Sequence, residues 1–246
     1  MSAPVALITG GARRIGAATA QLLHSKGWNI VVHYRTSSTQ AEQLTAQLNS
    51  QRPHSAHALA ADLTQLPALA LLAQQAVAQW GRLDALINNA STFYPTPVGS
   101  ATAQQWDDLI GSNVKAPFFL AQELAPTLRQ NAGAIINIAD IHAERPLAEH
   151  PLYCIAKAGN VMLTKSLARE LAPTVRVNGV APGAIMWPED TAELSADAKA
   201  AIVDKIALKR TGEAHDIARA IGFLLSEAPY ITGQILSVDG GRTLSN

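Results

Sequence analysis

Short apolar runs alternate along this chain with longer segments in which apolar positions recur every three or four residues. The first run, Val5 to Thr9, leads into a glycine turn, Gly10 to Gly16. A helical segment follows, with Ile15, Ala18 and Leu22 as its inward stripe and its end near Gly27. Trp28 to His33 is the next strand and completes a βαβ unit. The same plan predicts strands over 55–60, 83–88, 134–139, 175–180 and 235–238, and helices over 66–80, 104–128 and 151–171. Pro117 and Pro126 are expected to bend the helix over 104–128. Strands separated by helices demand right-handed crossovers. The expected fold is therefore α/β: a single doubly wound domain over 1–246, built on a seven-stranded parallel sheet covered on both faces.

One irregular region interrupts the plan, from Pro182 to about Leu194, with Pro188, Glu189 and Asp190 in it and a polar helix after it. Ligands bind beyond the carboxyl ends of strands in such sheets, so the segment at about 183–208 is expected to close over a substrate. The plainer alternative is a surface loop.

Composition narrows the function classes. At 246 residues and 48% hydrophobic, the chain is long enough for one large core. Its 19 basic and 19 acidic side chains cancel and no Lys/Arg-rich run occurs, which argues against nucleic acid or an anionic membrane as the main partner. No apolar stretch reaches the ~18 residues needed to span a bilayer, and the first residues lack the plan of a secretory signal, so a cytoplasmic location is expected. The sole cysteine, Cys154, cannot form an internal disulfide and is read as a spacer between Tyr153 and Lys157. His54 and His57 have no third ligand type near them, so no metal site is expected. His142 and His150 flank a loop and take no assignment.

Two sequence features carry chemistry. Strand, glycine turn and helix in that order place backbone N–H groups and a helix N-terminus where a pyrophosphate can sit, although a tight turn can also need glycines for φ > 0 alone. Tyr153 and Lys157 stand four apart on the helix over 151–171 and project from one face into one site. The ammonium is expected to favour the phenolate and pull Tyr153 below its free pKa of about 10, which makes it a proton donor near neutral pH.

Thr9-Gly10 with Gly16, Asn88-Asn89-Ala90 after a strand, Asn113 in the following helix, Tyr153-x-x-x-Lys157 and Pro182-Gly183 after a strand occur in this order across the whole chain. Together they resemble the short-chain dehydrogenase/reductase superfamily, whose fold is the Rossmann type. The resemblance implies that Asn113 helps hold a water chain behind the lysine, that Asn88 to Ala90 support the sheet and line the cofactor, and that Asp62 meets the adenine. It also implies cofactor contacts from Ile15, Tyr34, Leu63, Pro182 and Gly183, a catalytic set of Asp140, Tyr153, Lys157 and Asn113, and a homotetramer joined through the long helices.

Within that superfamily the chain departs from the usual pattern as pteridine reductases do. Arg14 stands where most members have the middle glycine, the second strand ends His33-Tyr34-Arg35, and the run after the fourth is Asn88-Asn89-Ala90-Ser91-Thr92-Phe93-Tyr94-Pro95-Thr96-Pro97. Asp140, thirteen residues before Tyr153, replaces the catalytic serine. No acidic residue closes the second strand to select NAD through the ribose hydroxyls. Arg35 suits a 2′-phosphate, with His33 and Ser37 as helpers and Arg13 as a weaker candidate, so NADPH is expected. Phe93 offers a face on which a flat heteroaromatic ring could lie against the nicotinamide, a role that Tyr94 beside it could also fill. Arg14, bridging pyrophosphate and pterin, and Ser91 would complete the slot.

Asp140 suits such a substrate better than a ketone. Reducing a carbonyl builds negative charge on oxygen, which an adjacent carboxylate opposes and a hydroxyl stabilises. Reducing a C=N bond leaves a nitrogen needing a proton, which a carboxyl paired with Tyr153 can help deliver. Asp140 could instead merely cap the loop before Pro146. The expected activity is NADPH-dependent reduction of a dihydropterin, of the dihydrobiopterin or dihydromonapterin type or a dihydrofolate. The alternatives are a ketoreductase such as a 3-oxoacyl-carrier-protein reductase, and a non-catalytic NADPH-binding sensor.

Overall fold

The computed structural model describes residues 2–185 and 195–244. Seven parallel strands form one sheet in the order β3-β2-β1-β4-β5-β6-β7. They are β1 (Val5–Ile8), β2 (Asn29–Tyr34), β3 (Ala56–Ala60), β4 (Ala85–Asn88), β5 (Ala134–Ile138), β6 (Arg176–Pro182) and β7 (Ile235–Val238). The helices are α1 (Arg14–Ser25), α2 (Ser38–Gln51), α3 (Leu66–Ala78), α4 (Ala103–Ile110), α5 (Ala116–Gln130), α6 (Pro151–Leu171), α7 (Ala196–Asp204) and α8 (Ala214–Ser226).

The two-residue period of the strands divides the core. Val5 and Leu7 of β1 point into a cluster with α3, α5 and α6, where Leu69, Leu120 and Leu163 pack. Ala6 and Ile8 point to the other face, against Leu23 of α1, Leu44 of α2 and Ile221 of α8. Both faces of the sheet are thus covered, which is why its strands read as unbroken apolar runs. From β1 the order runs outward through β2 on one side and through β4 on the other. The crevice for a ligand therefore opens at the carboxyl ends of β1 and β4.

Two sequence expectations change. The buried positions of α1 are Gly16, Ala18, Thr19, Ala20, Leu23 and His24, whereas Ile15 is only half-buried. The helix is turned so that Gly16 passes against the glycine turn: a Cβ there would lie 2.4 Å from the Gly10 carbonyl oxygen. The helix expected over 104–128 is broken by a π-helical turn, Gly111–Lys115, between α4 and α5. Pro117 closes that turn. Having no N–H, it cannot give the carbonyl of Asn113, four residues earlier, its usual α-helical bond.

Of the expected substrate segment at 183–208, Ile185 forms a parallel bridge to Gly212 and α7 supplies the polar helix. Positions 186–194, with Pro188, Glu189 and Asp190, lie outside the described residues.

Candidate active site

A cleft of ≈ 530 Å³ opens at the carboxyl end of the sheet, and every residue proposed for the site from sequence lines it except Gly16, Asn88 and Asn113, which lie behind its wall. Its floor is the glycine turn. Thr9 Oγ1 accepts from the backbone N–H groups of Asn89 (2.9 Å) and Ala90 (3.0 Å), and Asn89 Nδ2 donates to the carbonyls of Thr9 and Gly10, both at 2.9 Å. These bonds fasten the end of β4 to the turn. Gly16 completes the cradle, since a Cβ there would also come within 2.8 Å of Asn89 Nδ2. No side chain caps α1 and no acidic residue lies in its first turn, so its positive end stays available to an anion. The turn fits the pyrophosphate of a nicotinamide dinucleotide.

Arg14 has φ +51°, in the left-handed region that glycine tolerates freely. Holding an arginine there costs about 1 kcal/mol or more, and residues kept against such a cost cluster at ligand sites. Its Nη2 lies 3.4 Å from the Ile185 carbonyl, so the side chain reaches from the turn to the bridge beside Gly212.

His33 is placed differently from the sequence expectation. Its ring is 2% exposed; Nδ1 accepts from the Gly10 N–H at 3.1 Å and Nε2 donates to the Ala61 carbonyl at 3.1 Å. With both nitrogens committed, the ring holds the glycine turn and is not free for a phosphate. Burial lowers its pKa from 6.5 to about 4, partly offset by the Ala61 bond and the charge of Asp62. The unfolded chain binds this proton below pH 6.5 and the native state only near 4. Stability is therefore complete above 6.5, falls as the pH drops through that window, and levels off below 4. Between pH 7 and 4.5 the loss should be about 2.5 kcal/mol. Denaturant unfolding of the parent and of His33→Asn checks this, and an equal pH slope in both proteins would discard it.

Arg35 is exposed at the rim, and Ser37 occupies the N-cap position of α2 without bonding to its backbone. Asp62 Oδ1 accepts from the Thr64 backbone N–H and hydroxyl, which hold its carboxyl below the usual range with help from the charge of Arg35.

At the other end of the cleft, α6 brings Tyr153 and Lys157 beside Asp140. Tyr153 is 5% exposed and its hydroxyl donates to Asp140 Oδ2 at 2.7 Å. Asp140 Oδ1 accepts from the His142 N–H at 2.8 Å, capping a 3-10 turn over Ile141–Ala143. Asp140 is thus both a cap and the partner of the tyrosine. Burial, then the negative charge of Asp140 and its hydrogen bond, push the Tyr153 phenol well above its ordinary pKa, against a smaller opposite pull from the Ser91 hydroxyl. The expected lowering by the ammonium is overturned here, because the carboxylate is bonded to the phenol while the ammonium sits 5.6 Å from the ring centroid. Lys157 is 2% exposed, donates to the Ile138 carbonyl at 2.8 Å, and is brought down to about 8 by burial, with Asp140 opposing.

Phe93 is 55% exposed and fronts the cleft. Tyr94 is not in the lining; its hydroxyl donates to Asp108 Oδ2 at 3.0 Å, so of the two rings only Phe93 faces the cleft. Asn113 Oδ1 accepts from the Ser91 hydroxyl at 2.8 Å, and its backbone carbonyl accepts from Asn160 Nδ2 at 2.9 Å. Asn160 escaped the sequence reading. The available signal was a polar residue one turn beyond Lys157, paired with a proline four residues beyond Asn113. Ile185, Thr36 and Ile138 also line the cleft without having been singled out. Cys154 is buried and its Sγ accepts from the Leu147 N–H at 3.3 Å, a packing role.

The family model described as enoyl-(acyl carrier protein) reductase matches residues 10–243. The chain is 35% identical to pteridine reductase 1 of Leishmania tarentolae, over 99% of this chain and 98% of the relative. It is 38% identical to a 3-oxoacyl-(acyl-carrier-protein) reductase of Staphylococcus epidermidis, over 96% of this chain and 97% of the relative. It is 34% identical to a granaticin polyketide synthase putative ketoacyl reductase of Streptomyces violaceoruber, over 98% and 97%. Relatives of different substrate names thus stand at similar identity. The chain belongs to the short-chain dehydrogenase/reductase superfamily and is an oxidoreductase of that family.

Proposed function

We propose that this reductase converts a dihydropterin, of the dihydrobiopterin or dihydromonapterin type or a dihydrofolate, to the tetrahydro form with NADPH. The observation that carries the reading is the Asp140–Tyr153 bond of 2.7 Å, at the base of a cleft fronted by the half-exposed ring of Phe93. Bound NADPH supplies the hydride; what the chain must supply is orientation and a proton. In the free protein the Tyr153 O–H points to Asp140. A protonated Asp140 reverses that bond, donating to the phenol oxygen while the phenol O–H turns to the substrate nitrogen. The proton then moves from Tyr153 to the nitrogen and from Asp140 to Tyr153, leaving a carboxylate. Burial of the phenol, which disfavours the phenolate, favours that second transfer. Lys157 orients the ribose, and Arg14, Ser91 and Phe93 hold the pterin. The deciding assay is NADPH consumption with dihydropterins, dihydrofolate, quinonoid dihydropterin and simple ketones. Turnover confined to ketones would return the 3-oxoacyl-carrier-protein reductase reading, which the 38% relative favours.

Cofactor choice rests on the end of β2. Arg35, the Ser37 hydroxyl and the open N-terminus of α2, with no acidic residue in its first turn, form a setting for a 2′-phosphate. kcat/KM should favour NADPH over NADH by about tenfold or more, since a charge-assisted contact is worth about 1.5 to 3 kcal/mol. Arg35→Ala should erase most of that ratio by raising the KM for NADPH alone. Equal use of the two cofactors by the parent would remove the inference. The proposal includes a cytoplasmic homotetramer. Exposed Phe118 of α5 and Ile155 and Met162 of α6 support association through these helices. Among the described residues no helix is long and apolar enough to cross a membrane.

A further inference from the structure

Phe93 is in contact with two other rings. It stacks on His150, with centroids 4.7 Å apart and planes at 11°, and meets Tyr153 edge-to-face at 4.7 Å and 80°. Phe93 and Tyr153 line the cleft and His150 does not. The face of Phe93 that His150 covers is therefore the one turned away from the cleft. His150 is itself held: it occupies the N-cap position of α6, and its Nδ1 lies 2.7 Å from the Ala148 carbonyl, which makes Nδ1 the protonated nitrogen in the neutral ring. The two loops that bring the rings together are tied on either side of it. The Thr96 N–H donates to the Glu149 carbonyl at 2.7 Å, and the Leu152 N–H donates to the buried Thr96 hydroxyl at 3.4 Å.

A phenylalanine that is 55% exposed at a loop position has little packing of its own to fix its plane. The near-parallel stack with a ring anchored to α6 supplies that constraint. We infer that His150 is a positioning residue for the substrate: by stacking on the rear face of Phe93 it presents the front face, already oriented, to a flat heteroaromatic ring. This rests on the proposed pterin reading and extends it, because a preorganised ring loses less freedom when the ligand lies down on it. Any aromatic side chain at 150 would serve, whereas an aliphatic one of similar bulk would not.

The test is equilibrium binding of pterin (2-amino-4-oxopteridine) to protein saturated with NADP+, where no hydride can pass, in the parent and in His150→Ala, His150→Leu and His150→Phe, with the Kd for NADP+ measured alongside. His150→Ala and His150→Leu should weaken pterin binding by about 3- to 10-fold, the scale of one lost aromatic pair. His150→Phe should restore it to within about twofold, and the Kd for NADP+ should stay unchanged in all. A parent that does not bind pterin sinks the substrate reading and this inference together. A parent that binds, with His150→Ala equal or tighter, sinks the inference alone, since the ring would then be idle or in the way. Restoration by His150→Leu as complete as by His150→Phe, or a parallel loss of NADP+ affinity, would likewise overturn it by reducing His150 to loop packing.

Discussion

Tyr153→Phe is expected to lower kcat by about 10³-fold with dihydropterins and simple ketones alike, leaving the Kd for NADPH nearly unchanged. The variant keeps the ring that packs edge-on against Phe93 and removes only the hydroxyl that bonds Asp140 at 2.7 Å. A loss confined to kcat is the signature of a group acting in the transition state. Lys157 adds a pH dependence to the same reaction. Its pKa of about 8 in the free protein means that kcat/KM for NADPH should fall as the pH rises through 8 and the ammonium deprotonates. If Tyr153→Phe kept a tenth or more of the parent turnover, the proton would have to come from another group.

The fold was legible where the sequence carries one strong period. The strands around Val5–Ile8, Ala85–Asn88 and Ala134–Ile138 are buried on both faces and read as apolar runs, so their place in a covered parallel sheet could be expected. The helices α2 and α8 were not picked out. In α2 the buried set is Ala41, Leu44, Thr45 and Leu48, too sparse and too small to stand out from a polar stretch. The π turn was illegible for another reason. Pro117 signals a disturbance, but whether the chain bends, breaks or widens by one residue depends on what receives the freed Asn113 carbonyl. That partner, Asn160, comes from another helix.

The site divides along the same line. Its membership was readable, because glycines that admit no Cβ, such as Gly16, and a Tyr-Lys pair at helical spacing are local statements. Its electrostatics were not. The phenol was expected to answer to the nearest ammonium in sequence, yet it answers to burial and to a carboxylate thirteen residues away that approaches from the end of β5. His33 shows the same limit. Its identity at the end of β2 suggested a ligand for phosphate, and only the fold shows both nitrogens spent on Gly10 and Ala61.

Asp140→Ser should separate the two chemistries that similar relatives carry. The substitution returns the residue of the wider family to a position whose oxygen contacts Tyr153, and a serine hydroxyl there is a neutral donor. For a C=N substrate the reservoir behind Tyr153 disappears, and dihydropterin turnover should fall by about 10²-fold, the lower range of a lost acid–base contribution. For a ketone the change works in the opposite direction. The carboxylate no longer opposes the developing oxyanion, so reduction of a simple β-keto ester should be unchanged or faster. NADPH affinity should hold, because Asp140 follows β5, while the glycine turn follows β1 and Arg35 follows β2, on the far side of β4 in the sheet. Loss of the cap on Ile141–Ala143 is a separate effect, which serine largely preserves, since it is itself a favoured capping residue. A fall in both reactions together would therefore mark Asp140 as a part of the scaffold. A serine variant that reduced dihydropterin at the parent rate would break the link between this carboxyl and C=N reduction, and Tyr153 and Lys157 would then be those of a ketoreductase.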